Sequence, residues 1–238
     1  MPNAAILLAG GSGKRMRGAV KDKVLEPLLG LPVILHSFKA FAESGCVGEI
    51  IFVCRDAAQI KEIKAAIKKH FGKNKTPVKF ALGGAERQDS VLNGLREVSD
   101  AGGLAFIHDG ARPMIDAENV AGLCRAASKD GAAVLAARVS DTIKRVAKNK
   151  KSLSKCRLCD LDRSRLWAMQ TPQVFAAKKI RAAYEYVKKR GLAVTDDAAA
   201  AAAAGARITI VENLRPNVKI TVPQDIAFIE FLKAKGIK

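Results

Sequence analysis

Short apolar runs alternate with amphipathic stretches along much of this 238-residue chain, and this alternation restricts the fold more than any other feature. The runs are bounded by turn residues, as buried strands are. The stretches between them repeat apolar residues at helical spacing, as at Ile60, Ile63 and Ile67. Strands that alternate with helices predict an α/β protein with a doubly wound, mostly parallel sheet. The predicted strands are Ala4–Leu8, Glu49–Cys54, Val78–Leu82, Leu104–His108 and Ala132–Val139.

The alternation breaks after the last of these strands. Residues 141–146, a basic turn at residues 147–152, and residues 153–161 have the pattern of a β-hairpin. A hairpin that stands apart from a compact domain commonly finds a partner, so we expect a homodimer. The chain length favours one or two domains, and we predict one, residues 1–238, with a protruding dimerisation arm at about residues 140–163.

An alanine run near the end of the chain predicts a short helix rather than a disordered tract. Ala198–Ala204 consists of alanine alone, which has the highest helix propensity. Thr195 or Asp196 can cap the beginning of this helix, and Gly205 can end it. A longer helix is predicted just before it, at about Ala177–Arg190.

The cysteines and the apolar segments indicate the cellular compartment in which the protein is expected. No stretch approaches the roughly 18 apolar residues of a membrane span, and the chain does not begin with a signal-peptide pattern. The five cysteines are scattered and odd in number, which argues against a disulfide framework. Cys156 and Cys159 have the spacing of a metal or redox pair but lack a second pair or a nearby histidine. We expect a cytoplasmic protein with no membrane partner.

A formal net charge of +18 makes nucleic acid an alternative partner, because Lys and Arg neutralise phosphates. The basic residues are nevertheless spread over the whole chain, and aromatic residues make up only 5% of it. No helix-turn-helix, zinc-finger or aromatic-rich RNA-binding pattern is present. An anionic substrate explains the charge better, so we predict no nucleic-acid partner. A non-catalytic RNA-binding protein remains the distant alternative.

The first predicted strand leads directly into a glycine-rich, basic loop, Ala9–Met16. Small residues allow successive backbone N–H groups to face one anion, and Lys14 and Arg15 add positive charge. A P-loop would need glycine at Leu8 and Ser or Thr at Arg15, and a dinucleotide fingerprint would need a third glycine later in the loop. We interpret the loop as a polyphosphate site of another kind, the alternative being an ordinary strand-to-helix turn.

Two further loops follow predicted strands and belong to the same edge of the sheet. Gly83–Ser90 has twin glycines that permit close approach of a base or ribose, although Asp89 can instead cap a helix. Asp109 ends a buried strand, where a carboxylate suits Mg²⁺ held together with phosphate oxygens. It can also pair with Arg112. Because ligands bind at the carboxyl ends of parallel strands, the three loops predict one site.

Eight motifs in a fixed order point to one family. They are Arg15 in the glycine-rich loop, Lys23 with Pro27–Gly30, Gly83–Gly84 with Arg87 and Asp89–Val91, His108–Pro113, Asp141–Thr142, Gln170–Gln173, Thr195–Asp196, and Asn217–Lys219. Each motif is weak or moderate alone, but chance agreement of all is implausible. From Ala4 to Leu232 the chain resembles the 2-C-methyl-D-erythritol 4-phosphate cytidylyltransferase family of the non-mevalonate isoprenoid pathway.

The resemblance implies a Rossmann-like fold and transfer of a cytidylyl group from CTP to a polyol phosphate, 2-C-methyl-D-erythritol 4-phosphate, with Mg²⁺ and release of pyrophosphate. The reaction brings two anions together, so positioning and charge stabilisation must supply most of the catalysis. By their motif positions, Arg15 and Lys23 are implied to stabilise the transition state. Arg163 and Lys219 are implied to position the sugar phosphate, with Arg163 reaching the active site of the neighbouring subunit.

The resemblance also implies two sets of binding residues, and Asp109 is implied to hold the metal or the ribose. The implied CTP-binding residues are Ala9, Gly10, Gly11, Gly13, Lys23, Gly83, Gly84, Ala85, Ser90, Asp109 and Gly110. The implied acceptor-binding residues are Arg112, Thr142, Arg163, Thr195 and Lys219.

The chain departs from the family pattern around the implied catalytic lysine. Family members often have Pro-Lys-Gln-Tyr there, whereas this chain has Asp22-Lys23-Val24-Leu25 with one more residue after Met16. The lysine charge is kept. A sister enzyme that acts on ribitol 5-phosphate shares the nucleotide-side motifs, so it is the alternative function at this point.

Overall fold

The computed structural model describes residues 3–11, 22–99, 102–146, 154 and 156–237 of the chain. The strands are β1 (Ala4–Leu8), β2 (Pro27–Leu28), β3 (Leu31–Pro32), β4 (Glu49–Cys54), β5 (Val78–Leu82), β6 (Leu104–Asp109), β7 (Ala132–Arg138), β8 (Lys144–Val146), β9 (Leu158–Asp160), β10 (Trp167–Ala176) and β11 (Thr209–Glu212). The helices are α1 (Val33–Glu43), α2 (Ala57–Phe71), α3 (Arg87–Arg96), α4 (Ala117–Asp130), α5 (Ala177–Lys189), α6 (Asp197–Ala203) and α7 (Gln224–Ala234).

Seven of these strands form the central sheet, in the order β11-β7-β10-β6-β1-β4-β5. The neighbouring strands are parallel except at β10, which lies antiparallel between β6 and β7. The predicted doubly wound, mostly parallel, Rossmann-like sheet is therefore confirmed. The antiparallel strand was not anticipated, because an apolar run gives no direction for the chain.

Helices cover both faces of the sheet because alternate strand residues point to opposite sides. In β1, Ala5 and Leu7 pack with α1, α2, α4 and α7, whereas Ala4 and Ile6 pack with α3, α5 and α6. All four side chains are fully buried. Burial on both faces explains why β1 reads as a continuous apolar run rather than an alternating one.

The predicted hairpin is present as a two-stranded sheet of its own, formed by β8 and β9. Lys144 pairs in register with Asp160, and Val146 with Leu158. The strands are shorter than predicted, and much of the turn between them lies outside the described residues. Their side chains are mostly exposed, which leaves this arm available for the dimer contact that the sequence predicts.

The alanine-rich helix is confirmed as α6. Asp196 caps it by accepting a hydrogen bond from the backbone N–H of Ala199, and Gly205 follows its end with a φ of 82°. Glycine suits this left-handed conformation because it has no Cβ to clash. The helix begins at Asp197, one residue earlier than predicted, a difference of the size expected for helix ends.

None of the helices within the described residues is both long enough and apolar enough to span a bilayer.

Candidate active site

The predicted loops meet in one cleft at the carboxyl ends of β1, β4, β5 and β6. The cleft has a volume of about 400 Å³. The lining includes these sequence-predicted residues: Ala9, Gly10, Gly11, Lys23, Gly84, Ala85, Ser90, Asp109 and Lys219. The strand order explains the meeting, since these four strands are parallel neighbours and their ends lie at one edge.

The first wall of the cleft is the end of β1 and the segment that holds Lys23. The backbone N–H of Ala9 donates to the carbonyl of Val53 at 2.8 Å, which extends the pairing of β1 with β4 beyond the strand. Lys23 Nζ donates to the carbonyl of Ile220 at 3.2 Å and so crosses the cleft. Gly13 and Arg15 lie outside the described residues, and their roles remain predictions.

The second wall is the loop after β5, which closes tightly on the first turn of α3. Ser90 Oγ accepts from the backbone N–H of Gly84 at 3.0 Å and donates to the carbonyl of Glu86 at 3.2 Å. A Cβ on Gly84 would stand 2.3 Å from the Cβ of Asp89, so only glycine fits there. Ser90 therefore shapes the loop whose exposed edge faces the cleft. Gly83 supports this loop from outside the lining by donating to the carbonyl of Cys54.

Asp109 lies at the floor of the cleft and faces three cations. Lys219 Nζ donates to Asp109 Oδ2 at 2.7 Å, Arg87 Nη2 lies 3.5 Å from Oδ1, and Arg112 Nε lies 3.8 Å from Oδ2. Burial disfavours the ionised carboxyl group, but Arg87 and Lys219 outweigh burial and hold the pKa of Asp109 well below its ordinary value. Asp109 is therefore a carboxylate that is kept charged in a largely buried position.

Arg87, whose side chain is 32% exposed and lines the cleft, pairs with the fully buried Asp197, and the sequence predicts no site role for this pair. Arg87 donates from both terminal nitrogens to the carboxylate of Asp197, at 2.9 and 2.8 Å. Asp197 is fully buried and also accepts from the hydroxyl of Tyr184 at 2.5 Å. Burial opposes the charge of Arg87, but Asp197 outweighs it and raises the pKa of Arg87. The pair ties the start of α3 to the start of α6 beside Asp109.

His108 holds the neighbouring backbone in place and is itself fully buried. The carbonyl of Arg112 can only accept, so His108 Nε2 carries the single ring proton and donates to it at 3.2 Å. His108 Nδ1 then accepts from Thr171 Oγ1 at 3.1 Å, and this hydroxyl oxygen accepts from the Asp109 N–H at 3.1 Å. Burial lowers the pKa of His108 to about 4. His108 is therefore a packed, hydrogen-bonded histidine that supports the backbone at Asp109.

The segment before α7 presents Lys219 to Asp109. The N–H of Ile220 donates to the carbonyl of Ala111 at 2.8 Å, and Arg112 Nη1 donates to the carbonyl of Asn217 at 2.7 Å. Ile220 is fully buried in the core, whereas the preceding residue, Lys219, lines the cleft. Arg112 therefore supports the site from behind the lining. Gly110 also lies behind the lining and donates its N–H to the carbonyl of Leu8 at 3.0 Å.

Besides Arg112, three other predicted acceptor residues lie outside the lining of the cleft in the single chain. Arg163 lies at the base of the arm, where its Nη1 donates to the carbonyl of Ser140 at 2.6 Å. Thr142 and Thr195 are exposed, on the segment before β8 and just before the cap of α6. None of them belongs to the lining. The structure thus brings together the nucleotide-side residues and Lys219 but not these three.

Nearly the whole chain matches known proteins. The model of one family, 2-C-methyl-D-erythritol 4-phosphate cytidylyltransferase, matches residues 3–235. The chain belongs to this family. As a 2-C-methyl-D-erythritol 4-phosphate cytidylyltransferase family member it is a nucleotidyltransferase, and the family resemblance stated from the sequence is confirmed.

Named relatives and solved structures of the cytidylyltransferase family agree with this assignment. The chloroplastic enzyme of Oryza sativa subsp. japonica is 40% identical over 96% of this chain and 73% of its own length. The enzyme of Shouchella clausii is 37% identical over 99% of this chain and 98% of its own. The 4-diphosphocytidyl-2C-methyl-D-erythritol synthase of Anaerococcus prevotii superposes with a TM-score of 0.82, at 25% identity and 98% coverage of both chains.

Proposed function

We propose that this protein transfers the cytidylyl group of CTP to 2-C-methyl-D-erythritol 4-phosphate, giving 4-diphosphocytidyl-2-C-methyl-D-erythritol and pyrophosphate. The observation that carries the proposal is the family match over residues 3–235, together with a cleft in which Lys23, Asp109 and Lys219 face one another. In the reaction an oxygen of the acceptor phosphate attacks the α-phosphorus of CTP in line. The bond to the bridging oxygen of the β-phosphate breaks, and pyrophosphate leaves.

The residues around the cleft suit this reaction because it needs charge stabilisation and no protein nucleophile. Negative charge grows on the oxygens around the α-phosphorus and on the leaving pyrophosphate. Lys23, and Arg15 by its motif position, stabilise that charge. Backbone groups at Ala9–Gly11 and Gly84 hold the triphosphate and the cytidine, while Lys219 draws the acceptor phosphate toward the α-phosphorus.

A magnesium ion fits the chemistry of the cleft through Asp109. Within the residues that the structure describes there is no cluster of three or more metal-ligating side chains. Mg²⁺ needs only one or two protein carboxylates when phosphate oxygens and water complete its six positions. Asp109 lines the cleft and remains ionised, so it would hold the ion together with the triphosphate. The bound ion would supply positive charge to the phosphate oxygens.

The proposal includes a homodimer with shared active sites. Two observations support it: Arg163 lies on the arm and outside the lining of its own cleft, and the arm forms a separate, exposed two-stranded sheet. Arg163, with Thr142 from the same arm, would complete the acceptor subsite of the neighbouring subunit. A cytoplasmic location is also part of the proposal. It is supported by the absence of disulfide pairing among all five cysteines, which lie within the described residues and suit a reducing compartment.

A paired acceptor assay tests the function. Purified protein is supplied with CTP, Mg²⁺ and either 2-C-methyl-D-erythritol 4-phosphate or ribitol 5-phosphate, and pyrophosphate release is measured. We expect turnover with the first acceptor. Robust turnover of ribitol 5-phosphate with none of the methylerythritol phosphate would reject the proposed acceptor. Absence of CTP-dependent pyrophosphate release with either acceptor would contradict the enzymatic role.

A further inference from the structure

A cluster of buried polar groups lies behind the first wall of the cleft and is built on Asp22, the residue directly before Lys23. Asp22 is 9% exposed. Its Oδ2 accepts from Gln59 Nε2 at 2.6 Å and from Arg55 Nη2 at 3.2 Å, while its Oδ1 accepts from the N–H of Val24 at 3.2 Å. A carboxylate buried to this extent needs such partners to offset its lost hydration. Arg55 also balances a negative charge that would otherwise repel phosphates.

Gln59, in the first turn of α2, joins this cluster to the end of β1. It is 1% exposed. Its Nε2 donates to Asp22 and also to the carbonyl of Ala9 at 3.2 Å, and its Oε1 accepts from the N–H of Arg55 at 2.7 Å. Both ends of the amide are thus engaged, and flipping the amide would break all three hydrogen bonds. One side chain therefore fixes the end of β1 relative to the start of the Lys23 segment.

The backbone of Asp22 shapes the turn from which Lys23 projects. The carbonyl of Asp22 accepts from the N–H groups of Leu25 at 3.0 Å and Glu26 at 3.1 Å, which closes residues 22–26 into a tight turn. Lys23 leaves this turn toward the cleft, where its Cε lies 4.0 Å from the position that a Cβ on Gly11 would take. The position of Asp22 therefore sets where the Lys23 stem begins.

We propose that Asp22 and Gln59 are positioning residues, which hold Lys23 against the backbone of Ala9–Gly11 during cytidylyl transfer. This inference rests on the proposed function, in which Lys23 stabilises the transition state. Family members often have proline where this chain has Asp22, and proline restrains the backbone covalently. In this chain, buried hydrogen bonds and an ion pair supply the restraint instead. Such restraint matters because a misplacement of about 1 Å costs on the order of 100-fold in rate.

Asp22→Asn and Gln59→Met test the proposal, since both nearly preserve side-chain volume. We expect each to lower kcat by about tenfold, because Lys23 is then less well placed. Glu49→Gln is the matched control. Glu49 is a buried carboxylate paired with Lys79 at 3.0 Å, at the opposite end of β4 from Arg55. This control should lower the thermal midpoint while leaving kcat within about twofold of the wild-type value, because Glu49 is remote from the cleft.

A double-variant comparison separates positioning of Lys23 from general support of the fold. In a Lys23→Ala background, adding Asp22→Asn should cause no further loss of kcat, since the residue that it positions is already gone. Unchanged kcat in both single variants, or losses that multiply with Lys23→Ala, would overturn the proposal. Circular dichroism confirms that each variant is folded.

Calorimetric titration with CTP alone tests the positioning role of Asp22 and Gln59 separately from the proposed function. Weaker CTP binding by Asp22→Asn and Gln59→Met, but not by Glu49→Gln, supports the positioning role even if the methylerythritol phosphate is not turned over. Equal CTP affinity in all three variants, together with unchanged kcat, contradicts it. Failure of the wild-type protein to turn over the acceptor would reject the proposed function without altering this comparison.

Discussion

At the scale of single residues, the main property of the cleft is its excess of cationic side chains over carboxylates. Lys219, Arg87 and Arg112 surround Asp109, and Lys23 faces them from the opposite wall. A site that receives a triphosphate and a second phosphate needs this excess of positive charge. The charge is also placed before substrate arrives, since buried carboxylates and carbonyls hold each cation at a defined position. Preorganised charge of this kind is what lowers the barrier to phosphoryl transfer.

Removing a cation at the α-phosphorus should reduce the rate of the chemical step. We expect Lys23→Ala and Arg15→Ala each to lower kcat by about 100-fold or more while the protein stays folded. Steady-state kinetics at saturating CTP and acceptor measures this loss. Lys64→Ala, on the outer face of α2, is the matched control and should leave kcat unchanged. Near-normal kcat in either test variant would contradict its assigned role.

Removing an acceptor-side cation should instead weaken binding of the sugar phosphate. We expect Arg163→Ala and Lys219→Ala to raise the KM for the acceptor more than the KM for CTP, because both are assigned to the acceptor phosphate. Titrating each substrate against a saturating concentration of the other gives the two values. Equal increases in both would argue against acceptor positioning.

At the scale of elements, an ion pair joins the start of α3 to the start of α6. Arg87 is the first residue of α3 and Asp197 the first residue of α6, and their forked pairing joins helices 110 residues apart in the chain. The alanine run predicts the existence of α6, and the glycine loop predicts the start of α3. Neither pattern identifies their contact, because ion-pair partners that distant in sequence leave no local signal.

An ion pair with a buried carboxylate and an ion pair with an exposed carboxylate should differ sharply in their effect on the free energy of unfolding. Asp197→Asn weakens the paired hydrogen bonds to Arg87, whose side chain is 32% exposed, so we expect the free energy of unfolding to fall by about 2 kcal/mol. Asp160→Asn removes the partner of Lys144 in the arm, where the aspartate side chain is 86% exposed, and should cost under about 1 kcal/mol. Urea unfolding of both variants measures the difference. Equal losses would show that burial does not govern these pairs.

At the scale of the whole molecule, the active site divides its residues between a cleft and an arm. Lys23 and Lys219 line the cleft, whereas Arg163 lies at the base of a hairpin that forms its own sheet. Sequence order does not reveal this separation, because all three residues belong to motifs of one family. A shared site follows if the arm of one subunit reaches the cleft of another.

Subunit mixing should reveal such sharing. Lys23→Ala and Arg163→Ala chains are co-expressed with different tags, and activity is compared with that of each variant alone. In a mixed dimer, one site combines an intact Lys23 with an intact Arg163 from the other chain. Half of the dimers are mixed after random assembly, so about a quarter of wild-type activity should return. No recovery, or a protein that sediments as a monomer, would contradict a shared site.

Much of the fold could be predicted from this sequence because its strands are apolar on both faces and its helices have one apolar face. β1, β4 and β5 have the predicted bounds, and α6 is capped by one of the two predicted residues. The antiparallel course of β10 could not be predicted, since it depends on its pairing with both β6 and β7. Strand direction is a property of contacts between distant segments, and local patterns do not encode it.

By itself, the sequence determined the kind of sheet, the order of the motifs and the family, because each depends on residue types at fixed local spacing. It also indicated, through the family resemblance, that Asp109, Lys23 and Lys219 share one site. Only the tertiary structure decided which groups surround each charge. Asp109 meets Arg87, Asp22 meets Gln59, and Arg163 stays away from its own cleft because side-chain environment depends on packing between segments far apart in the chain.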